Sequence, residues 1–337
     1  MNPTTIANHT GTMQAATVRA YGGPELISIN DIPRPLPGDD EVLVQVHAAA
    51  LHAGDALILK GEPAILRLMT GLTRPKQPVP GADLSGVVAA IGKNITRFQV
   101  GDAVFGGRDG FHDYGGALAQ YCRVPEHKLE HKPENLGFDE AAAVAISGST
   151  ALAGLIKAKL KAGQSVLING ATGGVGSFAV QIAKALGAEV TAVCSTGKSD
   201  FVRELGADHV IDYKHQDYTR LDRKWDLVFD AACFRPVSEA MRAAKANGKY
   251  LLVGGSTGAP FAAMGLGLYA KLRGGPQILS MASESTPELL ARLAEMLRDQ
   301  KIRPAIDRVY ELAQSREAFA YLSAGHTRGK VVIRIES

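Results

Sequence analysis

The stretch best suited to chemistry is SVLINGATGGVGSFAVQIAKALGAEV, residues 165–190. Ser165, Val166, Leu167 and Ile168 read as a strand that leads into Asn169 and the turn Gly170-Ala171-Thr172-Gly173-Gly174-Val175-Gly176. Phe178, Ala179, Ile182, Ala183 and Leu186 then recur at helical spacing, and Gly187 stops the helix. A strand, a glycine turn and a helix followed by another strand make a βαβ unit whose turn can hold a pyrophosphate. Glycines let the backbone come close, and the first helical N–H groups face the negative charge. The context makes this motif more specific than a glycine loop alone. A second candidate set is His52 and Asp55 in AALHAGDALILKG. An imidazole with an ordinary pKa of ~6.5 can donate a proton near neutrality. The residues leave two readings of His52 open, a hydrogen-bond donor or general acid to a substrate oxygen and a histidine packed in a cleft wall. Asp55 is expected to fix the loop or orient His52.

These groups need a scaffold, and 337 residues suit two domains. The chain is 46% hydrophobic and 21% charged, as in an ordinary globular protein. A net charge of +3 with scattered basic residues argues against a nucleic-acid partner. Cys122, Cys194 and Cys233 are too few and too far apart for a disulfide framework or a structural zinc lobe, so the chain reads as cytoplasmic. The start, MNPTTIANHTGTMQ, has no Lys or Arg and no apolar core. It is expected to be a frayed leader rather than a secretory signal, with the fold beginning near Met13. The longest apolar stretch, 141–156, is broken by Ser147, Gly148, Ser149 and Thr150 and falls short of the ~20 residues of a membrane span.

Residues 14–125 carry short β-branched runs between Gly, Pro and Asp turns, the pattern of a small β-barrel. EPAILRLMTGLTRPKQP, residues 62–78, interrupts them as a long, partly helical loop able to cover a cleft. From Phe138 helices and strands alternate, including EAAAVAISGSTALAGLIKA, SDFVRELGA and PVSEAMRAAKANG as helices. That order predicts a doubly wound parallel sheet. A helix is expected over 287–300, followed by strand, helix and strand that return to the β-domain. The predicted division is therefore 13–134 with 302–337 for the β-domain, and 135–301 for the nucleotide domain. The cleft between them is where ligands tend to bind.

The second strand of the nucleotide unit, EVTAV, ends in Cys194-Ser195-Thr196-Gly197-Lys198. A carboxylate at this point would hold a ribose 2′-OH and select NAD, whereas a small or basic residue leaves room for a 2′-phosphate. Ser195 stands where the acid should be, with Lys198 three residues on, so the pattern favours NADPH.

Several motifs in order now resemble the medium-chain dehydrogenase/reductase superfamily, and within it the zinc-independent, zeta-crystallin-like quinone oxidoreductases. The matching pieces run from about Gln14 to Ile335 and include GGPELISINDIPRPLPGDDEVLVQVHAAAL, VPGADLSGVVAAIG, GDAVFGG, GGALAQYCRVP, GATGGVGSFAVQIAKALGAEVTAVCST, LGADHVIDY and GHTRGKVVIRI. The resemblance implies an α/β fold, with a GroES-like β-barrel catalytic domain and a Rossmann doubly wound parallel-sheet cofactor domain. It also implies NADPH and a homodimer or larger assembly. By position, Ala171, Thr172, Gly173, Gly174 and Val175 match the pyrophosphate turn. Ser195, Lys198 and Tyr213 match residues that hold the adenosine ribose and its 2′-phosphate. Val253, Gly254, Gly255 and Ser256 match a loop that approaches the cofactor, Thr150 a threonine near the nicotinamide, and Lys330 a basic residue at the cleft.

Zinc-dependent relatives carry a cysteine where this chain has His52, and a Gly-His-Glu where it has Gly81-Ala82-Asp83. His52 and Asp83 alone fall short of the three protein ligands that a catalytic zinc needs, so no metal is expected. Quinone oxidoreductases usually have asparagine at the His52 position, a departure that puts its role in question. Without a Lewis acid to polarise a simple ketone, electron-poor acceptors are the natural substrates. The expected activity is NADPH-dependent reduction of a small hydrophobic quinone or α,β-unsaturated carbonyl. The alternatives are a zinc-free reductase of aldehydes, ketones or enoyl thioesters, and a non-catalytic, crystallin-like NADPH-binding protein.

Overall fold

A computed structural model describes residues 11–108, 116–253, 274–281 and 285–336. The first half is built on strands β1 (Thr12–Thr17), β2 (Ser28–Pro33), β3 (Glu41–Leu51), β4 (Asp83–Ile91), β5 (Ala103–Gly107), β6 (Tyr121–Pro125) and β7 (Leu129–His131). Between β3 and β4 lie helices α1 (Ala53–Lys60) and α2 (Arg67–Thr70). The 62–78 excursion is thus partly helical, as expected. It is fastened to the barrel, because the Tyr21 hydroxyl donates to the Gly71 carbonyl (2.7 Å) and lies 2.8 Å from Thr70 Oγ1.

Helices α3 (Phe138–Ala142) and α4 (Ala145–Lys157) lead into the alternating region. The sequence suggests one helix here, but the structure has two. The Ile146 N–H, at the start of α4, donates to Asp83 Oδ1 at 2.8 Å. A side chain from β4 thereby satisfies one of the N–H groups that a new helix leaves open. Next come β8 (Ser165–Asn169), α5 (Gly174–Ala185), β9 (Glu189–Cys194), α6 (Ser199–Glu204), β10 (His209–Asp212), β11 (Trp225–Asp230), α7 (Val237–Ala240), β12 (Ala244–Val253) and β13 (Gln277–Met281). The PVSEAMRAAKANG segment corrects the sequence reading, since α7 ends at Ala240 and the chain has entered β12 by Ala244. Pairing of Ala244 with Trp225 in the sheet outweighs the helical propensity of its alanines.

These strands form a six-stranded parallel sheet in the order β10-β9-β8-β11-β12-β13. Strand order reverses between β8 and β11, so the ligand crevice opens beyond their carboxyl ends. Phe178, Ile182, Val190, Leu227, Phe229 and Leu251 fill the main core. Helix α8 (Pro287–Arg298) packs Leu290, Leu293 and Leu297 into it. Thr286 accepts the Leu289 N–H and Pro287 opens the helix, the signals that place its start in the sequence.

The chain then returns to the barrel through β14 (Ile306–Glu311), α9 (Ser315–Ser323) and β15 (Lys330–Arg334). A seven-stranded sheet results, with β14-β15-β3-β4-β5-β7 in order and β6 paired to β3. Val331 on β15 faces Leu51 on β3, and Ala50 on β3 faces Asp83 on β4. The register therefore delivers His52, Lys330 and Asp83 to one end of this sheet. Among the described residues no helix is long and apolar enough to cross a membrane.

Candidate active site

The glycine turn sits at the switch point. Gly170 has φ 79, which glycine adopts without strain, and Gly173 caps α5. The first i→i−4 bond of the helix runs from the Ser177 N–H to the Gly173 carbonyl (2.9 Å). The N–H groups of Gly174, Val175 and Gly176 precede that bond and face the crevice end of the helix. A side chain at Gly176 would run into the Gly170 carbonyl, so only glycine fits there. The turn thus has the backbone cradle that a pyrophosphate requires. Replacing Gly176 by alanine is expected to weaken dinucleotide binding about tenfold or more, since overpacking of this kind costs about 1–3 kcal/mol. A fluorescence titration with NADPH checks this, and wild-type affinity in the variant would contradict it.

A fully buried carboxylate supports the turn from below. Asp230, at the end of β11, accepts from Asn169 Nδ2 (2.8 Å), from the N–H groups of Ala232 (3.2 Å) and Cys233 (2.9 Å), and from the Tyr250 hydroxyl (2.7 Å). Burial, and then Asp230, hold the Tyr250 phenol well above its ordinary pKa, so it stays a donor. Asp230 was not singled out by sequence, where it reads like any acid at a strand end. Val253, at the end of β12, is buried, while Gly254, Gly255 and Ser256 lie outside the described residues.

The junction between the two sheets is held by charge. Lys330 Nζ donates to Asp83 Oδ2 at 2.9 Å and to Ser147 Oγ at 3.2 Å, with Lys330 1% exposed and Asp83 0%. A Cβ at Gly174 would lie 2.9 Å from Ser147 Oγ and 3.0 Å from Lys330 Cδ, so this pair abuts the turn directly. The Gly329 N–H also donates to the Thr172 carbonyl (2.7 Å). Ala171 and Thr150 are buried, Thr150 on α4, and Val175 is half-buried against the core. Lys330 is therefore a buried junction residue, more enclosed than a basic group at an open cleft. Ser147 was not singled out by sequence.

His52 and Asp55 stand at the start of α1. The His52 backbone N–H donates to Asp55 Oδ2 (2.6 Å), and His52 Nδ1 lies 3.6 Å from the same oxygen. Burial, then the Lys330 charge, push the imidazole down to about 3. The enclosed imidazole is thus neutral around pH 7. Asp55 is pushed up to about 8, chiefly by burial, and also by Asp83; the His52 N–H and Lys330 act against this. Asp55 holds the His52 backbone through this cap.

Past the carboxyl ends of the next two strands, Ser195 and Lys198 are half-buried beyond β9, and Tyr213 is exposed beyond β10. The Lys198 ammonium donates to the carbonyls of His326 and Thr327, both at 3.0 Å. Although the sequence position for an acid holds Ser195, Asp212 on β10 comes near. Its carboxylate accepts from Thr196 Oγ1 (2.6 Å) and the Lys214 N–H (3.0 Å). The structure thus gathers His52, Asp55, Lys330 and the glycine turn at one end and Ser195, Lys198 and Tyr213 at the other.

Comparison with known proteins agrees with this architecture. Residues 38–134 match the alcohol dehydrogenase GroES-like domain, and residues 205–333 match the zinc-binding dehydrogenase family. The NADPH-dependent alkenal/one oxidoreductase of Arabidopsis thaliana is 32% identical, over 99% of this chain and 82% of its own length. The chain belongs to the medium-chain dehydrogenase/reductase superfamily. A further relative of this reductase, the quinone-oxidoreductase QR1 of Triphysaria versicolor, is 30% identical over 95% of this chain and 98% of its own. The solved quinone oxidoreductase from Coxiella burnetii superposes with a TM-score of 0.86 at 28% identity, covering 96% of this chain and 100% of that one. These likenesses place the reductase in the quinone oxidoreductase group, and it is an oxidoreductase that uses a nicotinamide cofactor.

One of the matched family descriptions names zinc. Among the described residues no group of three or more His, Cys, Asp or Glu side chains could hold a metal. Asp83 already receives the Lys330 ammonium, a cation in its own right. The donor set does not fit a catalytic zinc.

Proposed function

We propose that this reductase transfers hydride from NADPH to a small hydrophobic quinone or α,β-unsaturated carbonyl without zinc. The observation that carries the reading is the abutment of the glycine turn on the Lys330–Asp83–Ser147 junction, beside His52. A dinucleotide on the turn would reach toward a crevice whose resident cation is an ammonium held by a carboxylate. NADPH supplies the hydride when bound. Ala171, Thr172, Gly173, Gly174 and Val175 hold its pyrophosphate, Ser195, Lys198 and Tyr213 its adenosine end, and Thr150, Val253 and Lys330 line the approach to the nicotinamide. A simple ketone needs strong polarisation of its oxygen, whereas enones and quinones accept hydride without it.

The relatives named above point the same way, one as an alkenal/one oxidoreductase and one as a quinone oxidoreductase. Our reading divides the chain into a catalytic domain of 13–134 with 302–337 and a cofactor domain of 135–301. It takes the molecule to be a cytoplasmic homodimer; the three widely spaced cysteines suit a reducing compartment. NADPH oxidation with a quinone, a short enone and a simple ketone tests the function. Turnover of the first two, well above the ketone, is expected. Preference for the ketone, or activity that disappears with a zinc chelator, would refute the reading.

A further inference from the structure

Four ionisable groups meet where the carboxyl end of β3 and the starts of β4 and β15 converge: His52, Asp55, Asp83 and Lys330. Asp83 and Lys330 neutralise each other at 2.9 Å. Asp55 has no such cation on it. It is 1% exposed, and among the described residues its Oδ2 accepts only the His52 backbone N–H within hydrogen-bonding distance while its Oδ1 has no partner. An ionised carboxylate enclosed this way, with one oxygen unpaired, is unfavourable, and it answers by keeping its proton.

We propose that Asp55 is the proton store of the reaction, and that it passes its proton to the reduced substrate through the His52 imidazole. This rests on the hydride-transfer reading above. Compared with the forms the two groups would show in water at neutral pH, the carboxyl is the one that has changed: it holds a proton up to about pH 8, while the imidazole stays neutral. A pair whose environments push the two values apart is the arrangement from which acid and relay roles are read. The charged groups facing Asp55 are Asp83 from β4 and Lys330 from β15, together with His52 at its own helix start.

The step balances. Hydride addition to an enone forms the new C–H bond and leaves an enolate; addition to a quinone leaves a hydroquinone anion. His52 Nε2 gives its proton to that anion as Nδ1 takes the proton of Asp55. The 3.6 Å gap between Nδ1 and Oδ2 must close to hydrogen-bond length for this transfer. Asp55 is left as a carboxylate near Lys330, and a solvent proton restores it. Asp55 never touches the substrate, so it is a positioning and relay residue.

The test compares wild type with Asp55→Asn, which keeps the shape and can still accept the His52 N–H. Wild-type turnover of an enone should be level below about pH 8 and fall about tenfold per pH unit above it. Asp55→Asn should lose roughly a hundredfold in turnover and lose that alkaline limb, with NADPH affinity unchanged. Difference infrared spectroscopy of the wild type reads the proton directly. A protonated carboxyl band should persist from neutral pH to about pH 8 and be missing in the variant. Stability supplies a further readout. From about pH 4 to about pH 8 the folded protein keeps a proton that the unfolded chain releases, so wild-type stability falls across that window and Asp55→Asn flattens the fall. An Asp55 carboxyl already ionised at neutral pH, or a variant with wild-type turnover and pH profile, overturns the relay. Wild type that binds NADPH but consumes none with any acceptor overturns the functional reading instead. The infrared titration still decides if the variant fails to fold.

Discussion

Replacing Lys330 by alanine should destabilise the reductase by about 3–5 kcal/mol, the usual cost of removing one partner from a buried ion pair. Asp83 is 0% exposed and Lys330 1%, so solvent cannot take over the lost contact. The carboxylate would keep the Ile146 N–H on Oδ1 but lose the ammonium on Oδ2. Urea unfolding measures the effect, and an unchanged midpoint would contradict it. A double variant, Asp83→Asn with Lys330→Met, separates the charge from the packing. Asparagine still accepts from Ile146, and methionine fills most of the space of the lysine stem. Stability should return in part, because no buried charge is left unpaired, while the new amide group facing methionine keeps some desolvation cost. NADPH binding should remain weakened in the double variant, since the cationic group beside Gly174 and Ser147 is gone. Full recovery of both would mean that the ammonium only holds the barrel to the nucleotide sheet.

The βαβ unit, the parallel sheet and the return of the C-terminus to the barrel were legible because local patterns encode them. Alternating apolar runs, glycine stops and the Thr286-Pro287 start act within a few residues of where they are read. Ser147, Asp83 and Asp230 were harder, since their importance lies in partners far along the chain. Asp83 meets Lys330 across 247 positions, and Asp230 meets Asn169 across 61. Nothing local distinguishes such acids from solvated ones. The break between α3 and α4 has the same origin, a helix start stabilised by a residue on β4. The depressed pKa of His52 was out of reach of the sequence for a related reason. An unperturbed pKa applies to an imidazole in water, and this one is enclosed near an ammonium.

Coenzyme choice should invert when Ser195→Asp is combined with Lys198→Ala. A charge-assisted hydrogen bond contributes about 1.5–3 kcal/mol, so losing Lys198 alone should weaken NADPH about ten- to a hundredfold. The lysine is already placed for the contact. Its ammonium is held by the His326 and Thr327 carbonyls, which accept two of its three N–H groups and direct the side chain. Burial, then Arg328, hold its pKa below the ordinary lysine value, so an arriving phosphate would meet a cation that gains from a partner. Ser195→Asp adds the opposite preference, with an acid for the ribose 2′-OH and repulsion for a 2′-phosphate. Asp212, on the next strand, already accepts from Thr196 Oγ1 and the Lys214 N–H. Fluorescence titration of both coenzymes gives the ratio. Lys198→Ala should reduce affinity for NADPH and leave NADH nearly unchanged, and the double variant should favour NADH. Equal losses for both coenzymes would instead assign Lys198 to the bond between the nucleotide sheet and residues 326–327, with no role at the 2′-phosphate.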